Sequence, residues 1–382
     1  MRSRKKKKVL VITGTRAEYG LLRPVIREIR KSKVLTLRLL VTGMHTQKKY
    51  GKTIDLIKKD HIPISSVVPI GQNDSMLMAL SKEIVGIEKY CLKERPDVLL
   101  VDADRGEGFA GALVAGHLCI PLAHMGGGDT SGFGVDEPIR HSITKFAHVH
   151  FPISVESAKR IQRLGEEAWR IHMVGTTAFE EALSTRLPDR KQLAKRLRLD
   201  ANLPWILFTQ HPTPLDSTPV SQQIVPSLKA LKNVRAEKIL IYPNSDTGAD
   251  IVIRSIEALR GERQVHIYAS FPRNVYLALL KESDIVVGNS SSGIVEAGFF
   301  HKPVVDIGNR QKGREHGRNV IHVPYDEQKI SRAITTGLSG AFKKTYKSMT
   351  HPYGGGTASR KIVRILENLR LDEKLMYKQI PL

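Results

Sequence analysis

The feature that most constrains the fold is a rhythm of short, continuously apolar strands separated by helical patterns, which occurs twice along the chain. In the first half, strands are predicted at residues 9–13, 35–41, 97–101, 121–124 and 148–152, and helices at 18–29, 76–93 and 136–147. Strands without polar alternation are typical of parallel sheets that helices cover on both faces. This half is therefore predicted to be a Rossmann-like domain.

The same rhythm restarts after a helix-poor stretch around residues 179–191. Strands are predicted at 205–209, 238–242, 265–268, 284–287 and 303–306, and helices at 219–232, 250–259, 274–281, 293–300 and, after a glycine turn, 357–378. We expect an N-terminal domain at 1–185 and a C-terminal domain at 186–382 that includes the last helix. The fold class is α/β, with two Rossmann-like domains facing a cleft that receives a ligand at the carboxyl ends of both sheets.

Composition excludes several classes of protein. The 382 residues contain no apolar run of the roughly 20 residues that a membrane span needs. The formal net charge of +22 is spread along the chain without a zinc-finger, helix-turn-helix or RNA-binding pattern, so neither a nucleic-acid nor a membrane partner is predicted. Cys91 and Cys119 form no metal motif and are expected to be buried thiols, which favours a reducing cytoplasm.

Three groups of polar residues follow predicted strands in the first half. Gly14-Thr15-Arg16 opens a helix after the first strand, where amides can face an anion; the segment is not G-x-G-x-x-G, so a dinucleotide cofactor is not predicted. Asp104 and Arg105 follow a later strand and point into the expected crevice, although an aspartate there could also be a helix N-cap.

The third group begins in a glycine-rich loop at 124–132 and continues into the sequence DEPIRH at 136–141. Asp136 and Arg140 are four residues apart and share a helix face, which an ordinary helical ion pair would also explain. A flexible loop followed by clustered acidic and basic residues nevertheless suits proton transfer on a sugar carbon.

In the second half, polar residues again follow the strands. Ser290, Ser291 and Ser292 begin a helix and could cradle a diphosphate, and Glu296 could bind two ribose hydroxyls. The alternative is an ordinary N-cap with an acidic residue that complements the helix dipole.

Taken together, the residues resemble the hydrolysing UDP-N-acetylglucosamine 2-epimerases of sialic-acid and legionaminic-acid synthesis. The matching segments span nearly the whole chain in the family's order and comprise GTRAEY at 14–19, Asp104-Arg105, DEPIRHSITK at 136–145, Gln210-His211-Pro212, Tyr242-Pro243-Asn244, GNSSSG at 288–293 and NRQKGRE at 309–315. The resemblance implies a GT-B-type fold, no metal or other cofactor, and a homodimer or homotetramer.

The resemblance also implies the chemistry and the residues that perform it. UDP leaves a UDP-linked 2-acetamido sugar by elimination across C1–C2, and water then adds to the glycal so that C2 is inverted. Asp104 and Asp136 match the catalytic acids, and Arg140 would orient the acidic cluster. The residues implied in binding the UDP-sugar are Arg16, Arg105, His211, Asn244, Ser290, Ser291, Glu296 and Arg310.

One position departs from the family pattern. The family's glutamate in the glycine-rich loop falls on Gly126, which cannot transfer a proton. Asp129, three residues further on, is expected to take over this catalytic role. The departure also leaves open a changed substrate, such as a diacetamido-trideoxy UDP-sugar, and two alternative functions: a GT-B glycosyltransferase or a non-catalytic UDP-sugar-binding protein.

Overall fold

A computed structural model describes residues 6–48, 51–130, 135–184, 186–214, 216–243 and 247–379. Within these residues the chain forms two compact units. Of the described residues, those within 6–130, 135–180 and 353–379 form the first unit, and those within 181–352 form the second. Among the described helices, none is both long and apolar enough to cross a membrane.

Twelve strands among the described residues form two six-stranded sheets. The first sheet contains β1 (Lys7–Thr13), β2 (Leu35–Val41), β3 (Ser66–Val67), β4 (Val98–Asp102), β5 (Leu122–Met125) and β6 (Val149–Phe151). The second contains β7 (Trp205–Thr209), β8 (Glu237–Ile241), β9 (Val265–Tyr268), β10 (Ile285–Gly288), β11 (Val304–Ile307) and β12 (Val320–Val323). All the described strand pairs are parallel, as the continuous apolar runs predict.

Helices connect most successive strands in both units, and a loop without a helix joins β11 to β12. In chain order they are α1 (Arg16–Lys31), α2 (Ile54–Lys59), α3 (Met76–Glu94), α4 (Gly106–His117), α5 (Asp136–Phe146), α6 (Val155–Arg163), α7 (Glu180–Ser184), α8 (Arg190–Leu197), α9 (Val220–Lys232), α10 (Ala249–Glu257), α11 (Arg273–Glu282), α12 (Ser291–Val295), α13 (Glu327–Leu338), α14 (Gly340–Tyr346), α15 (Ala358–Asn368) and α16 (Glu373–Met376). The α/β class and the two Rossmann-like units are therefore as predicted.

The two sheets share one topology. The strand orders are β3-β2-β1-β4-β5-β6 and β12-β11-β10-β7-β8-β9, which is the Rossmann order 3-2-1-4-5-6 in each unit. The order reverses between β1 and β4 in the first sheet and between β7 and β10 in the second. Ligands of open α/β sheets bind outside the carboxyl ends of the strands at such switch points.

Each sheet has an apolar core on both faces. In β1, Val9 and Val11 pack into one hydrophobic cluster, whereas Leu10 and Ile12 pack into another on the opposite face. The second sheet is arranged in the same way, because Ile206 and Leu207 of β7 enter different clusters. With both faces covered by helices, the exposed ends of the strands are left for polar side chains.

The C-terminal segment differs from the prediction in two respects. The expected helix 357–378 is interrupted at residues 369–372 between α15 and α16. The segment also packs on the first unit, not on the second, because Ile362 and Leu366 join the core around α1. Lys7 Nζ binds the main-chain oxygens of Leu366 and Glu367, both at 2.8 Å, and so caps the end of α15.

The two cysteines are free thiols, but only one is buried. Burial on α3 raises the pKa of the Cys91 thiol to about 12. Cys119, by contrast, is exposed in the turn after α4, so the expectation that both are buried is wrong for this residue.

Arg170 fixes α16 and the residue after it to the rest of the first unit. Its buried guanidinium donates hydrogen bonds to the main-chain oxygens of Leu375 (2.7 Å), Tyr377 (2.8 Å) and Lys374 (3.0 Å). A planar fork of five N–H donors suits this arrangement, and a lysine cannot reproduce it.

We therefore expect Arg170→Leu to destabilise the protein by about 3 kcal/mol or more, because buried carbonyls lose their donors. The midpoint of thermal unfolding should fall by about 6–12 °C, with Arg170→Lys only partly restoring it. Arg163→Leu removes an exposed arginine of α6 and is the matched control, with little expected effect. Equal midpoints for the Arg170 and Arg163 variants would contradict the role of this contact.

Candidate functional site

Polar residues gather at the switch point of the first sheet. Arg16 is the exposed first residue of α1, directly after the loop that follows β1. Asp104 and Arg105 lie in the turn between β4 and α4, and Arg105 occupies the N-cap position of α4. Asp104 therefore is not the helix cap, so the capping alternative does not account for it.

Arg140 connects three of the predicted site segments. Its guanidinium, on α5, forms a close ion pair with the carboxylate of Asp104 and donates a 2.7 Å hydrogen bond to the main-chain oxygen of Asp129. Glu137, three residues earlier on the same helix, lies 3.5 Å from the same guanidinium. The side chain of Arg140 is 3% exposed, which makes these charge-assisted contacts strong. The fold thus brings Asp104, Asp129 and Arg140 together.

The backbone around Asp104 has an unusual conformation. Ala103 has a φ of 55°, in the left-handed region that residues other than glycine rarely adopt. Two hydrogen bonds hold it there: its N–H donates to Met125 O at 2.8 Å, and its carbonyl lies 2.7 Å from His124 Nε2. Burial lowers the pKa of His124 to about 3, so the ring is neutral and its Nε2–H donates to the carbonyl.

The glycines of the loop after β5 are required by its backbone. Gly126 and Gly128 have φ values of 70° and 72°. A Cβ on Gly128 would stand 2.1 Å from the main-chain oxygen of Ser157, and therefore no other residue fits. At Gly126 there is space, but the left-handed φ favours glycine over a glutamate. This explains in physical terms why the position holds no carboxylate.

Buried carboxyl groups surround the same switch point, and the sequence analysis did not assign them. Glu18, Glu83, Asp102 and Glu107 are each at most 7% exposed. Burial raises all four pKa values, to about 7 for Asp102 and to about 8 for Glu83. The positive charge of Arg105 acts in the opposite direction on the three glutamates. Among the described residues, Glu18 Oε1 and Asp102 Oδ2 are buried without a hydrogen-bond partner.

Two of these carboxyl groups shape the first loop. Glu18 accepts a 2.6 Å hydrogen bond from the N–H of Gly14, four residues earlier in the chain. Glu107 lies against Gly14 so closely that a Cβ there would stand 1.9 Å from Glu107 Oε1. The GTRAEY segment could have indicated Glu18, because this residue falls one helical turn after the glycine.

Asn289 is the centre of the switch point in the second unit. Its side chain accepts from the N–H of His211 at 2.7 Å and donates to the carbonyl of His211 at 2.9 Å, which joins the ends of β7 and β10. The main-chain oxygen of Asn289 accepts from Gln311 at 2.8 Å and from Arg310 at 3.2 Å. The fold thus brings the predicted residues His211 and Arg310 together around Asn289. Asn289 and Gln311 belong to quoted segments but were assigned no role.

The serine loop after β10 leads into the short helix α12. Ser290 is the N-cap and accepts from the N–H of Ser292 at 3.4 Å, while Ser291 is exposed as the first helical residue. Glu296 is buried, and its two oxygens contact the hydroxyl of Ser292 and the guanidinium of Arg273. The capping alternative therefore holds for Ser290, and Glu296 already has protein partners at both oxygens.

The two remaining predicted residues are Asp136 and Asn244. Asp136 is the first residue of α5, one turn before Arg140. Asn244 lies outside the described residues. Within the part of the chain that the structure describes, no group of three or more His, Cys, Asp and Glu side chains could hold a metal ion.

Two Rossmann-like units, one with carboxylates and one with a serine loop at its switch point, define the class: a nucleotide-sugar enzyme of GT-B-type fold. The fold matches the crystal structure of the Neisseria meningitidis UDP-GlcNAc 2-epimerase bound to UDP-GlcNAc with a TM-score of 0.80 at 21% identity, covering 94% of this chain and 99% of that one.

Sequence comparison gives the family. The UDP-N-acetylglucosamine 2-epimerase family model matches residues 27–367. The chain is 35% identical to the hydrolysing UDP-N,N'-diacetylbacillosamine 2-epimerase of Legionella pneumophila, covering 97% of this chain and 98% of that one. It is 34% identical to the polysialic acid biosynthesis protein P7 of Escherichia coli, covering 97% and 96%. The chain belongs to the UDP-N-acetylglucosamine 2-epimerase family, as the resemblance predicted.

The buried carboxyl groups predict a pH dependence of stability. Because the pKa of Glu83 is about 8 in the folded protein and lower in the unfolded chain, the folded state binds more protons between these values. Its contribution to stability is therefore present at low pH and is lost as the pH rises to about 8.

We expect Glu83→Gln to be more stable than wild type at pH 8 by an amount on the order of a few kcal/mol, and the difference to shrink towards pH 5. Urea denaturation at pH 5, 6.5 and 8 measures this. Glu88→Gln, an exposed change on the same helix, should leave the pH dependence as in wild type. A pH-independent difference for Glu83→Gln would refute the assignment.

Proposed function

We propose that this enzyme is a hydrolysing UDP-sugar 2-epimerase that converts a UDP-linked 2-acetamido sugar and water to UDP and the C2-epimerised free sugar. The observation that carries the proposal is that the Asp104 carboxylate and the main-chain oxygen of Asp129 both bind the buried guanidinium of Arg140, beside the switch point of the first sheet. Membership of the epimerase family and the hydrolysing activity in the names of relatives support it.

The reaction requires two opposite proton transfers. A base removes the C2 proton while the C1–O bond to UDP breaks, and the product is a 2-acetamido glycal. Water then supplies a hydroxyl to C1 and a proton to C2 on the other face, which inverts C2. Two or more carboxyl groups with different environments suit this sequence of steps, because one can accept a proton while another donates one.

We assign the proton transfers to Asp104, Asp129 and Asp136. Arg140 forms an ion pair with the carboxylate of Asp104 and fixes the Asp129 loop through the main chain. The neutral ring of His124 keeps the Ala103 turn in its left-handed conformation, which sets the direction of Asp104. A site held by such contacts is preorganised for the reaction.

We assign binding of the UDP group to residues at both switch points: Arg16, Arg105, His211, Asn244, Ser290, Ser291, Glu296 and Arg310. The exposed hydroxyl of Ser291 and the amides at the start of α12 suit an anionic diphosphate. Asn289 positions two of these residues, because it forms hydrogen bonds with His211 and with Arg310. The two carboxylate oxygens of Glu296 already bind Arg273 and Ser292, so a ribose hydroxyl would have to share them with these residues.

The sugar is UDP-N-acetylglucosamine or a diacetamido-trideoxy relative. The names of the relatives divide between these two substrates. The Legionella relative is named as a UDP-N,N'-diacetylbacillosamine 2-epimerase and the Campylobacter relative as a GDP/UDP-N,N'-diacetylbacillosamine 2-epimerase, whereas the Neisseria relative is named as a UDP-N-acetylglucosamine 2-epimerase. Both substrates share the 2-acetamido group and the UDP, so the proposed mechanism applies to either.

Proton NMR of the protein with UDP-N-acetylglucosamine in heavy water tests the function. We expect UDP and free N-acetylmannosamine with deuterium at C2, because the proton added in the second step comes from solvent. The diacetamido substrate is the second arm of the same experiment. Transfer of the sugar to an added acceptor in place of water would favour a glycosyltransferase, and binding of UDP without any product would favour a binding protein.

Asp129→Asn tests the replacement for the carboxylate missing at Gly126. Arg140 binds the main-chain oxygen of Asp129, so the variant keeps this hydrogen bond and loses only the ionisable group. We expect kcat to fall by about 10²–10⁴-fold, the usual contribution of a general acid or base, with UDP affinity unchanged in calorimetry. Asp55→Asn, at an exposed position of α2, is the control. Wild-type turnover in Asp129→Asn would eliminate this residue as the proton donor or acceptor.

A further inference from the structure

Two histidines that none of the assignments above uses face each other at the edge of the second sheet. His322 lies on the edge strand β12, in register with Asp306 on β11. His316 belongs to the loop that joins these strands. The two Nε2 atoms are 3.0 Å apart, and the rings meet edge to face with centroids separated by 4.5 Å.

The hydrogen bonds at the other ring nitrogens decide where the protons are. Nδ1 of His322 is 2.8 Å from a carboxylate oxygen of Asp306, and Nδ1 of His316 is 3.0 Å from the main-chain oxygen of Gly317. A carboxylate and a carbonyl are acceptors, so both Nδ1 atoms carry hydrogen. In the neutral rings, both Nε2 atoms then present lone pairs to each other, and two lone pairs at 3.0 Å repel unless a cation lies between them.

We propose that His316 and His322 bind a divalent late first-row metal ion, such as Ni²⁺ or Cu²⁺, through their Nε2 atoms. With metal–nitrogen bonds of about 2.0–2.1 Å, a separation of 3.0 Å corresponds to an angle of about 94° at the ion. Adjacent ligands of a tetragonal ion subtend a similar angle, and imidazole is a preferred ligand of these metals.

The surroundings of the pair fit this assignment. Asp306 is 2% exposed and orients His322 by a carboxylate–imidazole hydrogen bond, the arrangement that commonly supports metal-binding histidines. His322 is 42% exposed at its side chain and His316 is also exposed, so an ion can enter from solvent. No third His, Cys, Asp or Glu of the described residues completes the set, and water fills the other coordination positions.

Binding would tie the loop between β11 and β12 to the edge strand. Arg310 and Gln311, which contact Asn289, lie in the first part of this loop, and His316 lies in its second part. The ion is therefore expected to stabilise the folded second unit by mass action, independently of any catalysis.

Calorimetric titration of the untagged protein with Ni²⁺ tests the proposal. We expect one ion per chain for wild type, and affinity at least tenfold weaker for His316→Gln and for His322→Gln. His117→Gln is the matched control, because exposed His117 also donates from Nδ1 to a main-chain oxygen, while its Nε2 has no histidine partner among the described contacts. Equal affinity in wild type and in the His316 and His322 variants would overturn the site.

Electron paramagnetic resonance with Cu²⁺ identifies the ligands. The bound copper should show coupling to two equivalent imidazole nitrogens in wild type and to one in His316→Gln. Asp306→Asn should weaken binding by about tenfold or more, the usual effect of losing such a supporting carboxylate. A single coupled nitrogen in wild type, or no Ni²⁺ binding because the pair holds only a shared proton, would refute the proposal.

Discussion

The reversal of strand order in each parallel sheet is the constraint on which the sites depend. Helices leave β1 and β4 on opposite faces, so the carboxyl ends of these strands are not covered and their loops diverge. β7 and β10 repeat this arrangement in the second unit. Apolar clusters cover both faces of each sheet, and few polar side chains are buried among them. Polar residues that are not on the outer surface can therefore be accommodated mainly at these ends.

At the first switch point, desolvation and positive charge oppose each other. Removing a carboxylate from water disfavours ionisation, and burial accordingly raises the pKa of Glu18, Glu83, Asp102 and Glu107. Arg105 and Arg140 lie beside these groups and favour the ionised forms. Asp104 is more exposed than Asp102 and has Arg140 directly against it, so neighbouring carboxyl groups two residues apart experience different environments. Such differences allow one fold to hold both proton donors and acceptors.

The sequence predicted what depends on local pattern. Ten of the strands are long enough to produce apolar runs, whereas β3, with two residues, and β12, with a half-exposed edge position, produce no clear run. The break between α15 and α16 is equally hidden, because residues 369–372 continue an amphipathic pattern. Asp104 could be found from polar residues at a strand end, Arg140 from the clustered charges of α5, and Asp129 only through the resemblance and its departure at Gly126. Glu83 could not, since it lies in the middle of α3 and only tertiary packing buries it beside Glu107.

The missing glutamate of the glycine-rich loop follows from the backbone, not from the chemistry. Gly126 is left-handed and stands next to Ala103, which is left-handed as well, and the neutral His124 holds Ala103 in place. A glutamate at 126 would favour a different φ and so disturb the turn that directs Asp104. Gly128 must also be glycine, because Ser157 leaves no room for a Cβ. Asp129 is the first carboxylate in the loop after β5, and Arg140 holds the main chain of this residue.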